Sequence, residues 1–353
     1  MLAGMSDNVR RTISELRQDC RTGPLSCRVG GQVEELTKKD SANGKPYWEL
    51  KLRDATDVLT LRAWVDTAAF DSCESLARAA CVEIEGEFLL NGSFGLDGRR
   101  WRVKPLTADE AAALFAGTTE EAAASEKDLA CVRSFVEGLA DPRLRALGLL
   151  FLDEHGDRFR RAAAARVHHH AHRGGLLRHT AQMMRSADAL SGVYPELNRD
   201  LLLAGALFHD TGKLWEMCPP ELGFEMPREI RGELLGHISI GIELVNTLWR
   251  KLPLEEWKSL SPASEEVRLH LLHLVAAHHG ELQFGSPVEP KTPEAVALHF
   301  VDNMDARLEM FAMAYARQPE IAPGIHERVR PLNTSPVRAL ERIPLDPGAV
   351  VPP

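Results

Sequence analysis

The sequence predicts a multidomain protein of the β plus all-α class: a five-stranded β-barrel near the amino terminus, followed by an all-α helical bundle. Two patterns carry this. Between Gly23 and Pro105, apolar residues alternate in short runs separated by Gly, Asn and Asp turns. From Ser125 onward they recur at helical spacing in long stretches. The chain has 353 residues, enough for two or three units with cores of their own.

Residues 1–22 are polar and charged and read as a helical or flexible segment. Residues 23–106 hold the strands. The first, 25–29, runs into Gly30-Gly31. The second, 47–52, follows the turn Asn43-Gly44-Lys45-Pro46, and the third, 58–64, follows Asp54-Ala55-Thr56-Asp57. The fourth and fifth are 81–88 and 101–103, and a helix within 67–80 separates them from the first three. Three strands, a helix and two strands is the order of an OB-fold. Residues 107–165 read as a helical linker. Thr107 and Glu110 form a capping box, residues 117–119 break the helix, and Asp141-Pro142 starts another through 152. Residues 166–317 form the bundle proper. The Pro-rich tail, 318–353, is expected to pack loosely.

The net charge is −9, which argues against a coat for duplex nucleic acid while leaving room for a local basic channel. The six cysteines have no paired spacing, so they read as small buried apolar residues in a reducing compartment. No apolar stretch approaches the ~18 residues that span a bilayer, and no secretory signal is evident. A cytoplasmic protein without membrane contact is expected.

The chemistry concentrates in five segments of the helical half: His179, His209-Asp210, His237, His278-His279 and Asp302. His209-Asp210 ends the apolar run 201–208, where an imidazole beside a carboxylate is costly to bury without a partner. Gly212 follows and lets the chain turn sharply. His237 opens an amphipathic helix. His278-His279 closes another, with Gly280 suited to the C′ position. Asp302 lies mid-helix among Leu298, Phe300, Val301 and Met304, a position that intrinsic propensity disfavours. Asp305, on the same face, is placed to orient a ligand or bind sugar. Against a metal stand plainer readings: a His–Asp hydrogen bond at a helix end, capping histidines, and an Asp302–Arg307 ion pair. His270 and His273 read as structural. A divalent cation held by the set would make water a nucleophile near neutral pH.

These residues resemble the ligand pattern of HD-domain phosphohydrolases. The segments around Gly174-Gly175-Leu176-Leu177-Arg178-His179, Phe208-His209-Asp210-Thr211-Gly212-Lys213, Leu235-Gly236-His237, His278-His279-Gly280 and Asp302-Asn303-Met304-Asp305 resemble the YhaM-type 3′-to-5′ exoribonuclease family more closely still. The resemblance covers roughly residues 24–310 and is weaker in the strand-rich half. It departs at His172, where the family usually has tyrosine. It implies an OB-fold joined to an HD domain, and a metal-dependent phosphodiesterase releasing nucleoside 5′-monophosphates from the 3′ end of single-stranded RNA; single-stranded DNA stays open as a substrate, because an OB-fold does not by itself choose RNA over DNA. His179, His209, Asp210 and Asp302 would hold a first ion. Asp210 would bridge to a second held by His237 and His278, with His279 near. The all-N/O donor set suits Mn²⁺, Mg²⁺, Fe²⁺ or Zn²⁺, and the family implies Mn²⁺.

Lys213 is then placed to hold a phosphate. His169, His170 and His279 are candidate general acids. In the strand-rich half Tyr47, Trp48 and Trp64, with Lys45 and Arg53, are candidates for gripping nucleic acid. Phe88, Phe94 and Trp101 are further aromatics whose alternation equally fits a barrel core. A homo-oligomer is an open expectation. The competing functions are a nucleotide or cyclic-nucleotide phosphohydrolase, and a non-catalytic single-strand-binding protein with a relic HD domain.

Overall fold

A computed structural model describes residues 9–91, 95–166, 172–330 and 332–340. Strand β1 (Arg10–Arg11) leads into helix α1 (Ile13–Asp19). There Thr12 and Glu15 each accept the other's backbone N–H, a capping box that the sequence reading missed. Asp54 fastens this helix to the sheet. Its carboxylate accepts the Ile13 N–H at 2.6 Å and the N–H groups of Thr56 and Asp57.

The sheet contains β2 (Leu25–Asp40), β3 (Pro46–Arg53), β4 (Val58–Trp64), β5 (Cys81–Asn91) and β6 (Gly95–Pro105), with helix α2 (Ala68–Glu74) between β4 and β5. The hydrogen-bonded order is β4-β3-β2-β5-β6, antiparallel throughout, with β1 parallel on β2. This mostly antiparallel sheet is compatible with an OB-fold. The closed barrel expected from the sequence is not there among the described residues, because β4 and β6 end the hydrogen-bonded path without pairing to each other. β2 is also three times longer than the run read from the sequence. Its first half pairs with β5 and its second half with β3, across an irregularity at Val33–Glu35. Gly30-Gly31 therefore lies mid-strand. Val29, Leu50, Leu61, Ile84, Phe88 and Trp101 share one apolar core, which settles the last two as core residues.

Capping boxes at Thr107–Glu110 and Thr118–Glu121 start α3 (Ala108–Ala116) and α4 (Thr119–Glu137). Such caps contribute about 1 kcal/mol each. The bundle continues with α5 (Pro142–Arg161), α6 (Gly175–Val193), α7 (Arg199–Phe208), α8 (Ile230–Trp249), α9 (Ser264–Ala277) and α10 (Pro293–Arg317). Its core, around Phe151, Met183, Leu203, Phe208, Leu248, Leu274 and Leu298, is separate from that of the sheet. The two halves meet where the Phe224 N–H donates to the Gln32 side chain at 2.9 Å and where Arg317 approaches Asp57 at 3.4 Å. Part of the tail expected to pack loosely is ordered: β7 (Glu320–Ala322) and β8 (Ile325–His326) pair, and His326 is buried. No helix among the described residues is long and apolar enough to cross a membrane.

Candidate metal centre

Every residue of α7 from Leu201 to Phe208 is buried, so this helix is threaded through the core and must end inside the protein. It ends at His209, whose ring Nδ1 faces the Ala206 carbonyl at 2.9 Å. The side chain thus satisfies a carbonyl that the helix end leaves without a partner. The chain continues through Asp210 into a single 3-10 turn, Thr211–Trp215. Gly212 serves here by allowing close approach and not by a left-handed turn as its type suggests. A Cβ on it would lie 1.9 Å from the His237 carbonyl oxygen. Gly212→Ala is therefore expected to push His237 away, costing about 1–3 kcal/mol of stability, as overpacked sites do. A thermal melt together with metal uptake checks this; unchanged uptake would contradict the packing argument.

His237 follows a break in α8. Gly236 has φ 66° and ψ 162°, so the helix effectively restarts at His237, as the sequence suggested. His278 ends α9 as His209 ends α7, with Nδ1 2.8 Å from the Val275 carbonyl. His279 turns its Nδ1 to the Phe284 carbonyl, also at 2.8 Å. Gly280, at φ 79°, permits that turn, and a Cβ there would run into the His299 ring. His179 comes from the first turns of α6, with Nδ1 2.7 Å from Asp305 Oδ2. Asp302 and Asp305 face it from α10.

The result is a set of imidazoles whose Nδ1 atoms are engaged outward while their Nε2 atoms converge. Asp210 lies between them, its two oxygens facing different groups. Oδ2 is 3.4 Å from His209 Nε2 and 3.8 Å from His179 Nε2. Oδ1 is 3.5 Å from His237 Nε2 and 3.6 Å from His278 Nε2. Asp302 Oδ1 is 3.4 Å from His179 Nε2. The ion pair of Asp302 with Arg307 is not formed; Arg307 Nε donates to Asn303 instead. Two clusters satisfy the spacing of a metal site: His179, His209 and Asp302, and His237, His278 and His279. His279 is thus a full member of the second cluster.

The donor atoms fit cations. Asp210 Oδ1, His237 Nε2 and His278 Nε2 are buried without a hydrogen-bond partner, and they point at one another. Leaving such atoms unsatisfied costs about 1–3 kcal/mol each. His179 and His209 bring their Nε2 atoms to 3.2 Å. With both Nδ1 atoms donating outward, two lone pairs would face each other unless a proton on His179 Nε2, as its raised pKa gives in the metal-free chain, or a cation lies between or beside them. Cysteine is absent from both clusters, and the nitrogen and oxygen donors suit divalent first-row metals or Mg²⁺.

The electrostatics divide the clusters. Burial lowers the pKa of His237 and His278, and pushes His279 down to about 4, with the adjacent His278 ring further disfavouring a second proton there. These imidazoles are neutral, as ligands must be. Burial would also lower His179, but Asp302 and Asp305 outweigh it and raise its pKa to about 10. Asp210 and Asp302 are held ionised well below the usual carboxylate range: against burial, chiefly by Lys213 and His209 for Asp210, and by His179 for Asp302.

Lys213 is buried with its Nζ 2.5 Å from Asp210 Oδ2, inside the cluster. His169, His170 and Phe94 lie outside the described residues. In the sheet, Tyr47 and Trp64 are register partners on the outward face, with ring centroids 4.7 Å apart, and Lys45 is exposed just before β3. Trp48 points to the opposite face and packs on Phe70. Arg53, at the far end of β3, is engaged with Glu34 at 2.5 Å. The sequence reading missed Glu216, which lies 3.2 Å from His237 Nδ1. Its only signal was an acidic residue between Trp215 and Met217, six positions past Asp210.

An HD-domain family model matches residues 176–307, a segment that contains every member of both clusters. The chain is 30% identical over 315 residues to the 3′-5′ exoribonuclease YhaM of Bacillus subtilis (strain 168), a match covering 87% of this chain and 94% of that relative. With a likeness that spans both the sheet and the bundle, and the metal-type clusters inside the matched segment, the chain belongs to the YhaM family of HD-domain exoribonucleases and is a metal-dependent hydrolase.

Proposed function

We propose that this protein is a 3′-to-5′ exoribonuclease that shortens single-stranded RNA to nucleoside 5′-monophosphates at a two-ion centre. The observation that carries the reading is the division of Asp210, with one oxygen toward each cluster. His179, His209, Asp210 and Asp302 would hold one ion. His237, His278, His279 and the other Asp210 oxygen would hold a second. Mn²⁺ is the metal favoured by the family resemblance, and Mg²⁺, Fe²⁺ or Zn²⁺ also suit these donors. Ions bound there supply Lewis acidity, activation of water and neutralisation of phosphate charge.

The chain's own groups do the rest. Asp210 and Asp302 stay ionised and bring negative charge to the ion positions. The neutral imidazoles fix geometry through their outward Nδ1 contacts. Lys213 holds Asp210 in place and offers a point charge to the scissile phosphate. His279, grouped with the second cluster, is better used as a ligand than as the general acid. His169 and His170 remain the candidates for protonating the departing 3′ oxygen, on sequence grounds.

The amino-terminal half is assigned as an OB-fold-type grip for single strands. The outward Tyr47–Trp64 pair supplies the stacking surface and Lys45 a phosphate contact. Arg53 and Trp48 take supporting places in the sheet. Base stacking contributes about 1–3 kcal/mol, so Trp64→Ala should raise KM for RNA about 5- to 140-fold with kcat nearly unchanged.

One assay tests both statements. The purified chain is incubated with 5′-labelled single-stranded RNA and DNA, with and without Mn²⁺, beside the Trp64→Ala variant. Metal-dependent ladders shortening from the 3′ end are expected on RNA, with the DNA arm reporting how far the 2′-hydroxyl is read. Hydrolysis of free nucleotides with intact RNA would replace the nuclease reading by a nucleotide phosphohydrolase.

A further inference from the structure

Four of the clustered imidazoles are oriented by well-aligned contacts at Nδ1. Three of these are to backbone carbonyls: Ala206 for His209, Val275 for His278 and Phe284 for His279. Side-chain substitution cannot remove them. The fourth is to a carboxylate, Asp305 for His179. The fifth imidazole, His237, has Glu216 Oε2 at 3.2 Å from its Nδ1. The contact falls short of a hydrogen bond, and Oε2 is buried without a hydrogen-bond partner. The nearby Arg166 guanidinium donates to the Glu216 backbone carbonyl at 2.6 Å. It thereby holds the residue at the end of the 3-10 turn and leaves the carboxylate directed at the imidazole. A small rotation of the His237 ring gives Oε2 the Nδ1–H it lacks, and the same rotation fixes Nε2 as the lone-pair donor facing Asp210.

We propose that Glu216 is the positioning residue of the ion position formed by His237, His278 and His279, the counterpart of Asp305 at the other cluster. This rests on the two-ion reading above. Each carboxylate stands behind an imidazole of one cluster, Asp305 behind His179 and Glu216 behind His237, so the two ion positions should be separately adjustable. Outer carboxylates of this kind typically change metal affinity about 10–100-fold.

The test counts ions and needs no RNA. Wild type, Glu216→Ala, Glu216→Gln and Asp305→Ala are stripped with chelator, titrated with Mn²⁺, and analysed for bound metal and for the paramagnetic resonance signal of coupled Mn²⁺ pairs. Wild type should take up two ions per chain and show the coupled signal. Glu216→Ala should bind its second ion about 10–100-fold more weakly, leaving an isolated-ion signal at limiting metal. Glu216→Gln should retain both ions, because the amide oxygen still accepts from Nδ1–H; this variant separates positioning from any general damage to the fold. Asp305→Ala should weaken the other position and leave the His237 cluster loaded. The proposal is overturned if Glu216→Ala keeps both ions at wild-type affinity, if Glu216→Gln loses the second ion as Ala does, or if wild type holds only one. A chain that loads two ions as described yet leaves RNA intact would remove the nuclease reading and leave this assignment standing.

Discussion

Replacing Asp210 with alanine is expected to abolish hydrolysis while the chain still folds. The carboxylate is buried between the clusters and faces both. On the two-ion reading proposed above, its removal would take a ligand from each ion position. Charge stabilisation by catalytic ions is worth several kcal/mol, and at 1.4 kcal/mol per factor of ten the loss is about 10³-fold or more. The fold should persist because neither apolar core includes Asp210. The local cost falls on Lys213, left buried with its carboxylate partner gone; breaking such a pair costs about 3–5 kcal/mol. Asp210→Asn keeps the shape and removes the charge. Circular dichroism and bound metal should be measured beside RNA hydrolysis. Both variants should melt cooperatively, bind less metal and lose activity. Full activity in either would reject the metal-centred mechanism.

The second large effect is in how pH and metal act together on stability. His179 is raised to about 10 in the folded chain, against about 6.5 unfolded. Its contribution to metal-free stability is complete below the unfolded value and is lost as pH rises toward 10. The slope is up to about 1.4 kcal/mol per pH unit for one proton. His237, His278 and His279 are shifted the other way by burial. Below about 6.5 the unfolded chain binds protons that these folded imidazoles refuse, so stability falls again as pH drops. Metal-free protein should therefore be most stable near pH 6.5. If His179 is a ligand, an ion at its cluster would take the place of the His179 proton, so metal binding would release that proton and strengthen with pH. The rise in melting temperature on adding Mn²⁺ should grow between pH 6.5 and 8.5. A shift that is flat or shrinks over that range would mean that His179 is not a ligand.

How much of this was legible in the sequence differs by element. The burial and clustering of these side chains was legible because His209-Asp210 follows a run too apolar to be anything but buried, and Asp302 sits in a helix that disfavours it. The restart of α8 at His237 was legible from Gly236 and the amphipathic pattern after it. The closed barrel was expected from strand order alone, and order does not fix whether the outer strands pair. Gly30-Gly31 read as a strand end because a glycine pair resembles a turn, whereas here one long strand serves two neighbours. Trp48 and Tyr47 are adjacent, and only the strand's orientation put one toward Phe70 and the other toward Trp64. Glu216 gave almost no signal, since an acidic residue in a short turn is usually solvated.

The sequence by itself determined which side chains are present that could bind a metal and that a strand-rich half precedes a helical one. Periodicity and burial propensity are local and can be read along one line. The tertiary structure decided which oxygen of Asp210 faces which imidazoles, which ring nitrogen each histidine turns inward, and which carboxylates stand behind His179 and His237. Those outcomes depend on atoms from α6, α7, α8, α9 and α10 meeting within a few ångströms. The carbonyls at helix ends that orient His209, His278 and His279 are local, three to five residues away; the Asp305 carboxylate behind His179 and the His237 carbonyl over Gly212 come into place only when the helices pack.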